Sequence, residues 1–128
     1  MKPCVCAFMP YSLDQIVTLV KAVTGWNVSN WELMKVSERS ISMARAFNAM
    51  QGFTTKDDDL PERCFEPLQG GTLKGQALDR QQFDATRNLI YDMLGWEHQS
   101  GAPKRWKLHE LGLGWLASKL EKEGVPPA

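Results

Sequence analysis

Apolar residues recur along this chain at steps of three and four, and helix start and stop signals bracket each run. Ser12 with Gln15 three positions on forms a capping box, in which each residue satisfies a backbone amide of the first turn. Leu13, Ile16, Val17 and Val20 follow as a stripe, and Gly25 supplies the left-handed residue that ends a helix. Trp26, just beyond, is expected to fold back over the last turn. Ser29 with Glu32 opens a second run, Leu33, Val36, Ser40, Met43, Phe47 and Met50, which Gly52 stops. This spacing predicts the longest helix, roughly twenty residues or about 30 Å. Its apolar set lies on one face, and Lys35, Glu38, Arg39 and Arg45 lie on the other. Asp79 with Gln82 opens a third helix with Phe83, Thr86, Ile90 and Met93 on one face and Leu89 and Leu94 beside it. Gly95 and Trp96 close it as Gly25 and Trp26 close the first. Two short helices are expected from about Pro103 to Leu111 and from about Leu113 to Glu123, with Pro103 suited to a first turn. The tail from Gly124 to Ala128 is expected to fray.

Strand signals are almost absent. Residues Phe53 to Arg80 are irregular. Thr54, Thr55 and Asp57 to Asp59 read as a turn or short helix start, Leu60-Pro61 enforces extended backbone, and Gly70, Gly71 and Gly75 mark a surface loop. The predicted fold class is all-α: a multihelical orthogonal bundle of about five to six helices. Residues 1–128 read as a single helical domain, with two small lobes possible and their boundary in the 64–79 loop.

A length of 128 residues and 43% hydrophobic content suit one globular domain. Fifteen basic residues balance fifteen acidic ones, so there is no strong field for nucleic acid or an anionic membrane. Neither a secretory signal nor a membrane-spanning run is legible. Cys4, Cys6 and Cys64 make an odd cysteine count, which suggests a reducing, cytoplasmic setting.

The candidate chemistry is sparse. Cys4 and Cys6 are too close for an easy disulfide and lack zinc-knuckle spacing. By itself Cys6, among Val5, Ala7 and Phe8, reads as a small buried hydrophobe. Cys64 reads as a structural thiol, although Arg63 is in position to lower its pKa. His98 and His109 lack the spacing of paired metal ligands, and His109 suits a helix end. Asp57-Asp58-Asp59 lacks the alternation of a calcium loop and reads as a solvated turn capping a helix. No nucleophile elbow, phosphate loop or nucleotide-binding glycine run is present. Five tryptophans exceed what core filling requires and are candidates for a docking face.

Ordered segments of the chain are more specific than their separate physics. They are Thr24-Gly25-Trp26, Ser37-Glu38-Arg39, Phe47-Asn48, Gly52-Phe53, Asp58 and Leu60-Pro61-Glu62-Arg63, followed by Tyr91, Gly95-Trp96-Glu97, Gly101-Ala102-Pro103 and Leu108-His109-Glu110-Leu111-Gly112-Leu113. In this order the chain, from about Cys6 to about Leu113, resembles the C-terminal helical domain of the tungsten-containing aldehyde ferredoxin oxidoreductases. The resemblance implies a long parent enzyme enclosing a tungsten or molybdenum bis-pterin and a [4Fe–4S] cluster. It oxidises aldehydes to carboxylates and passes electrons to ferredoxin. Three cluster cysteines are expected upstream in a Cys-x-x-Cys-x-x-x-Cys run, and the fourth in a segment Asp-x-x-Gly-Leu-Cys that also touches the pterin.

On that pattern Cys6 takes the place of the fourth cluster ligand and Val5 that of the leucine. Cys4 takes that of the glycine, so Cys4 and Val5 stand at the cofactor-contact positions. Met1 stands where the aspartate is expected. The resemblance implies that the chain completes a site with partner domains and is not catalytic alone, since one thiolate does not hold a four-cysteine cluster. A domain taken from such neighbours should expose an apolar docking face, for which the tryptophans and the methionines of the long helix are candidates. The alternative is a stand-alone helical interaction module that kept the fold and lost the cofactor, which Cys4 in the glycine place favours. A self-contained enzyme using Cys64 with a histidine is a third reading.

Overall fold

The computed structural model describes residues 10–125. Five α-helices appear among them: α1 (Leu13–Thr24), α2 (Asn30–Met50), α3 (Arg80–Leu94), α4 (Arg105–Glu110) and α5 (Gly114–Lys122). Two single 3₁₀ turns, Thr55–Asp57 and Glu62–Cys64, punctuate the α2–α3 connection. The described residues contain no strand, only an isolated bridge between Trp96 and Pro103. The all-α fold class and the helix count are as the sequence predicts.

The caps form as their sequences require. Ser12 and Gln15 exchange hydrogen bonds at α1, as Ser29 and Glu32 do at α2. The Asp79 carboxylate accepts from the Gln82 amide at α3. Gly25 and Gly95 close α1 and α3 at φ 71° and 67°, a conformation that costs glycine nothing. Pro103 differs slightly from expectation: it lies two residues before α4, buried, with Lys104 as the cap.

The core has two clusters with α2 common to both. At one end Leu33 of α2 joins Ile16, Val17 and Val28. At the other, Ala46 of α2 lies under Leu108, Leu111, Leu113, Leu116, Ala117 and Leu120 of the α4–α5 pair. The small Ala46 and Ala117 let the helices approach closely around the larger leucines.

The expected apolar faces of the two longest helices do not all face this core. In α2 the buried residues are Leu33, Ser37, Ser42, Arg45, Ala46 and Ala49, while Val36, Met43 and Phe47 are exposed. Arg45, assigned by periodicity to the polar face, lies inside. In α3 Tyr91 is the buried residue, and Leu89, Ile90 and Met93 are exposed. Periodicity identifies which residues share a face, but not which face meets the rest of the chain; here small residues and a hydrogen-bonded arginine line the inner contact. Trp26 also departs from expectation. It is 67% exposed, whereas Trp96, in the same place after its glycine, is 9% exposed.

Candidate functional site

The residues proposed from sequence as cofactor contacts, Cys4 and Val5, and as cluster ligand, Cys6, lie outside the described residues. Cys64 is the one free cysteine among those described; it is half-buried and ends the second 3₁₀ turn. His98 and His109 belong to different elements. His98 pairs with Asp92 at 2.8 Å on the surface, and His109 sits in the last turn of α4.

The polar residues that do converge meet at Arg45. Its Nε donates to the Gly101 carbonyl at 2.7 Å and its Nη1 to Asp58 Oδ1 at 2.8 Å. Nη2 lies 2.5 Å from Asp58 Oδ2 and 3.3 Å from the Tyr91 hydroxyl. That hydroxyl donates in turn to Asp58. The guanidinium carbon sits 5.7 Å from the Tyr91 ring centroid and 5.3 Å from that of Trp96. Burial, followed by the bond to Asp58, pushes the Tyr91 phenol above its ordinary range. A planar, five-donor guanidinium suits this combination of fork, carbonyl and ring faces.

The local sequence explains how the node assembles. Glu97 accepts the amides of Gln99 and Ser100, and the Gly101 amide donates to the Glu97 carbonyl, so residues 97–101 close a tight turn. Gly101 stands there at φ +68°, where an added Cβ would run into Arg45. The turn thereby presents the Gly101 carbonyl to α2. Asp57, Asp58 and Asp59, expected to be a solvated turn, divide the work. Asp57 accepts from Thr54 as a cap, Asp58 binds Arg45, and Asp59 binds Arg80. The Arg45 guanidinium and the Asp58 carboxylate are paired, while the Trp96 Nε1 is buried without a partner, and the node pins α2, α3 and two loops together. Asp58, Tyr91, Trp96 and Gly101 all belong to the segments that carry the resemblance. Their order along the chain is the linear trace of this node.

A second polar group is half open. Lys35 of α2 bonds Glu38 at 2.9 Å and Glu110 of α4 at 2.5 Å. Lys107, only 5% exposed, bonds Glu38 and, at 2.8 Å, Glu110. Hydrogen bonds from Lys107 and Lys35 hold Glu110 below its ordinary range. Burial pushes Glu38 upward, but the same two lysines outweigh it and leave Glu38 lowered as well. Lys35 is raised by its bonds to Glu110 and Glu38. Two lysines and two glutamates cancel, so the group is a neutral floor. Above it, Trp31, Met34, Met93 and Leu94 wall a cleft of about 400 Å³.

Neither group is a metal centre. Among the described residues, no three His, Cys, Asp or Glu side chains are placed to hold an ion. With Cys64 the one cysteine described, these residues do not fit a four-thiolate cluster. No helix among them is long and apolar enough to cross a membrane.

The chain is similar to known proteins in sequence and in fold. The chain is 31% identical over 126 residues to the aliphatic sulfonate oxidoreductase, WOR-like subunit, of Pyrococcus furiosus, covering 92% of this chain and 20% of that protein. It is 31% identical over 112 residues to the tungsten-containing aldehyde ferredoxin oxidoreductase of the same organism, covering 84% of this chain and 18% of that one. The Pyrococcus horikoshii counterpart matches to the same extent. The chain thus spans about a fifth of the length of these relatives. Its fold superposes, with a TM-score of 0.75, on a chain of the active site complex BamBC of benzoyl coenzyme A reductase in complex with 1,5 dienoyl-CoA. That match is at 23% identity and covers 93% of this chain and 16% of that one. The profile of aldehyde ferredoxin oxidoreductase, domains 2 & 3, matches residues 3–113, and the chain belongs to that family.

Proposed function

We propose that residues 1–128 act as one helical unit, the C-terminal domain of an aldehyde ferredoxin oxidoreductase-like enzyme, working in the cytoplasm and inactive alone. Its role is to complete a cofactor site built mainly by other domains. Cys6 serves as the fourth ligand of a [4Fe–4S] cluster, Cys4 and Val5 lie against the pterin of a tungsten or molybdenum centre, and the helices wall that site. The whole enzyme oxidises an aldehyde to a carboxylate and passes the electrons to ferredoxin.

The observation that carries this reading is the family match over residues 3–113 in a chain that is a fifth the length of its relatives. The surface agrees with it. Four of the five tryptophans, Trp26, Trp31, Trp106 and Trp115, are exposed, as are Met43 and Met93. A domain whose apolar faces meet neighbours has this surface, and an independent monomer rarely does.

The test is co-expression with the domains that carry the three-cysteine run. Cys6→Ala is expected to lower iron content and cluster absorbance, with Cys4→Ala as the comparison. Unchanged iron in Cys6→Ala contradicts the ligand assignment; loss in Cys4→Ala alone moves it to Cys4. The stand-alone module is favoured by Cys4 in the glycine place, and it predicts that the chain binds no such domains.

A further inference from the structure

Helix α2 is apolar on the side the chain leaves open. Between Val36 and Asn48 its fully exposed positions are Val36, Arg39, Ser40, Met43, Ala44, Phe47 and Asn48, and Arg39 is the one charged residue among them. The other charged residues of the stretch are withdrawn, Arg45 being buried and Glu38 half-buried, and the exposed Arg39 extends its guanidinium sideways towards Gly112. A solvent-facing helix side normally carries the charges. The ridge from Val36 to Phe47 runs about 16 Å at 1.5 Å per residue. At its amino-terminal end Val36 shares a shallow cleft with the exposed Trp26.

We propose that this ridge, Trp26, Val36, Met43 and Phe47, is the surface on which the cofactor-bearing domains of the enzyme dock. The proposal rests on the function inferred above and names where the partner sits. Two observations choose the occupant. About four-fifths of the relatives' length lies outside this chain, so the family supplies a large protein neighbour. The ridge residues Trp26, Val36, Met43 and Phe47 also suit an apolar protein surface, since contact cores are rich in aromatic residues and methionine, with Arg39 at the rim. The ridge is preorganised as well. The opposite side of α2 is fixed by Arg45 and by the packing of α5 on α2, so docking orders little backbone.

The experiment tags the full chain in its native host and identifies co-purifying proteins by mass spectrometry. The samples are wild type, Met43→Lys, Phe47→Glu, and Ser118→Lys on the exposed side of α5 as control. Circular dichroism confirms that each variant is folded. A protein bearing the three-cysteine run is expected with wild type and Ser118→Lys, and about tenfold less with Met43→Lys and Phe47→Glu. Equal recovery from all four overturns the ridge while leaving the function standing. Sedimentation as a dimer that Met43→Lys dissociates overturns it in favour of a second copy. Recovery of no such protein from any sample overturns the ridge and the function together.

Discussion

The two sides of α2 invert the usual arrangement. Its inner side holds Arg45, two serines and two alanines in a sealed contact; its outer side holds Val36, Met43 and Phe47 in the open. The inner side works because small residues allow close approach and one long polar residue finds every partner it needs. The outer side carries apolar surface that this chain does not cover. The difference teaches that α2 is a middle helix, built to be packed from both directions, with one direction supplied here. The inner side should therefore govern stability, and the outer side should be nearly silent in the isolated chain.

Four measurements bear on that contrast. Leu113→Ala removes a fully buried side chain packed in the cluster with Ala46 and should destabilise by about 4 kcal/mol in urea unfolding. A loss near zero would mean the inner cluster is not the core. Arg45→Met deletes the centre of the node, leaving Asp58 with only the Tyr91 hydroxyl and the Gly101 carbonyl without its donor, and should cost about 3 kcal/mol, moderated because a third of the Asp58 side chain meets water. Tyr91→Phe keeps the ring and removes one donor, which should cost about 1 kcal/mol by the same assay. Phe47→Gln on the outer side should change stability by less than about 0.5 kcal/mol. A cost as large as that of Arg45→Met would show that the outer side is packed within this chain.

The neutral floor beside α4 adds a pH test. Glu38 and Glu110 are lowered from an ordinary value of 4.5. Their contribution is therefore complete above pH 4.5 and lost as pH falls through their lower folded values. Lys35 and Lys107 are raised above 10.5, so their contribution is complete below that pH and lost as pH rises through the higher folded values. Urea midpoints measured across both limbs should fall at each end. Glu38→Gln combined with Glu110→Gln should flatten the acid limb; an unchanged acid limb would remove these pairs from the account.

Helix boundaries were legible because caps are local: Ser12, Ser29 and Asp79 each bond the amide three residues on, and nothing distant intervenes. The inward side of α2 was not. Arg45 is buried because Asp58, Tyr91 and Gly101 converge on it from 13, 46 and 56 residues away, which no helical period records. The resemblance held part of that information unrecognised, since Asp58, Tyr91, Trp96 and Gly101 were read there as an ordered string. The fates of Trp26 and Trp96 differ for a related reason. Gly-Trp fixes a helix end, but only Trp96 has an arginine from another helix to stack on. Of the site itself, the sequence offered Cys6 and its neighbours, and the family match extends over them without testing their roles.

The claim beneath all of this is that the chain completes a redox centre and does not build one. Iron analysis and visible absorbance of the chain purified alone, after anaerobic reconstitution with iron and sulfide, test it most directly. The account predicts no stoichiometric [4Fe–4S] cluster in the isolated chain. A stoichiometric cluster held by this chain with no other subunit would contradict it.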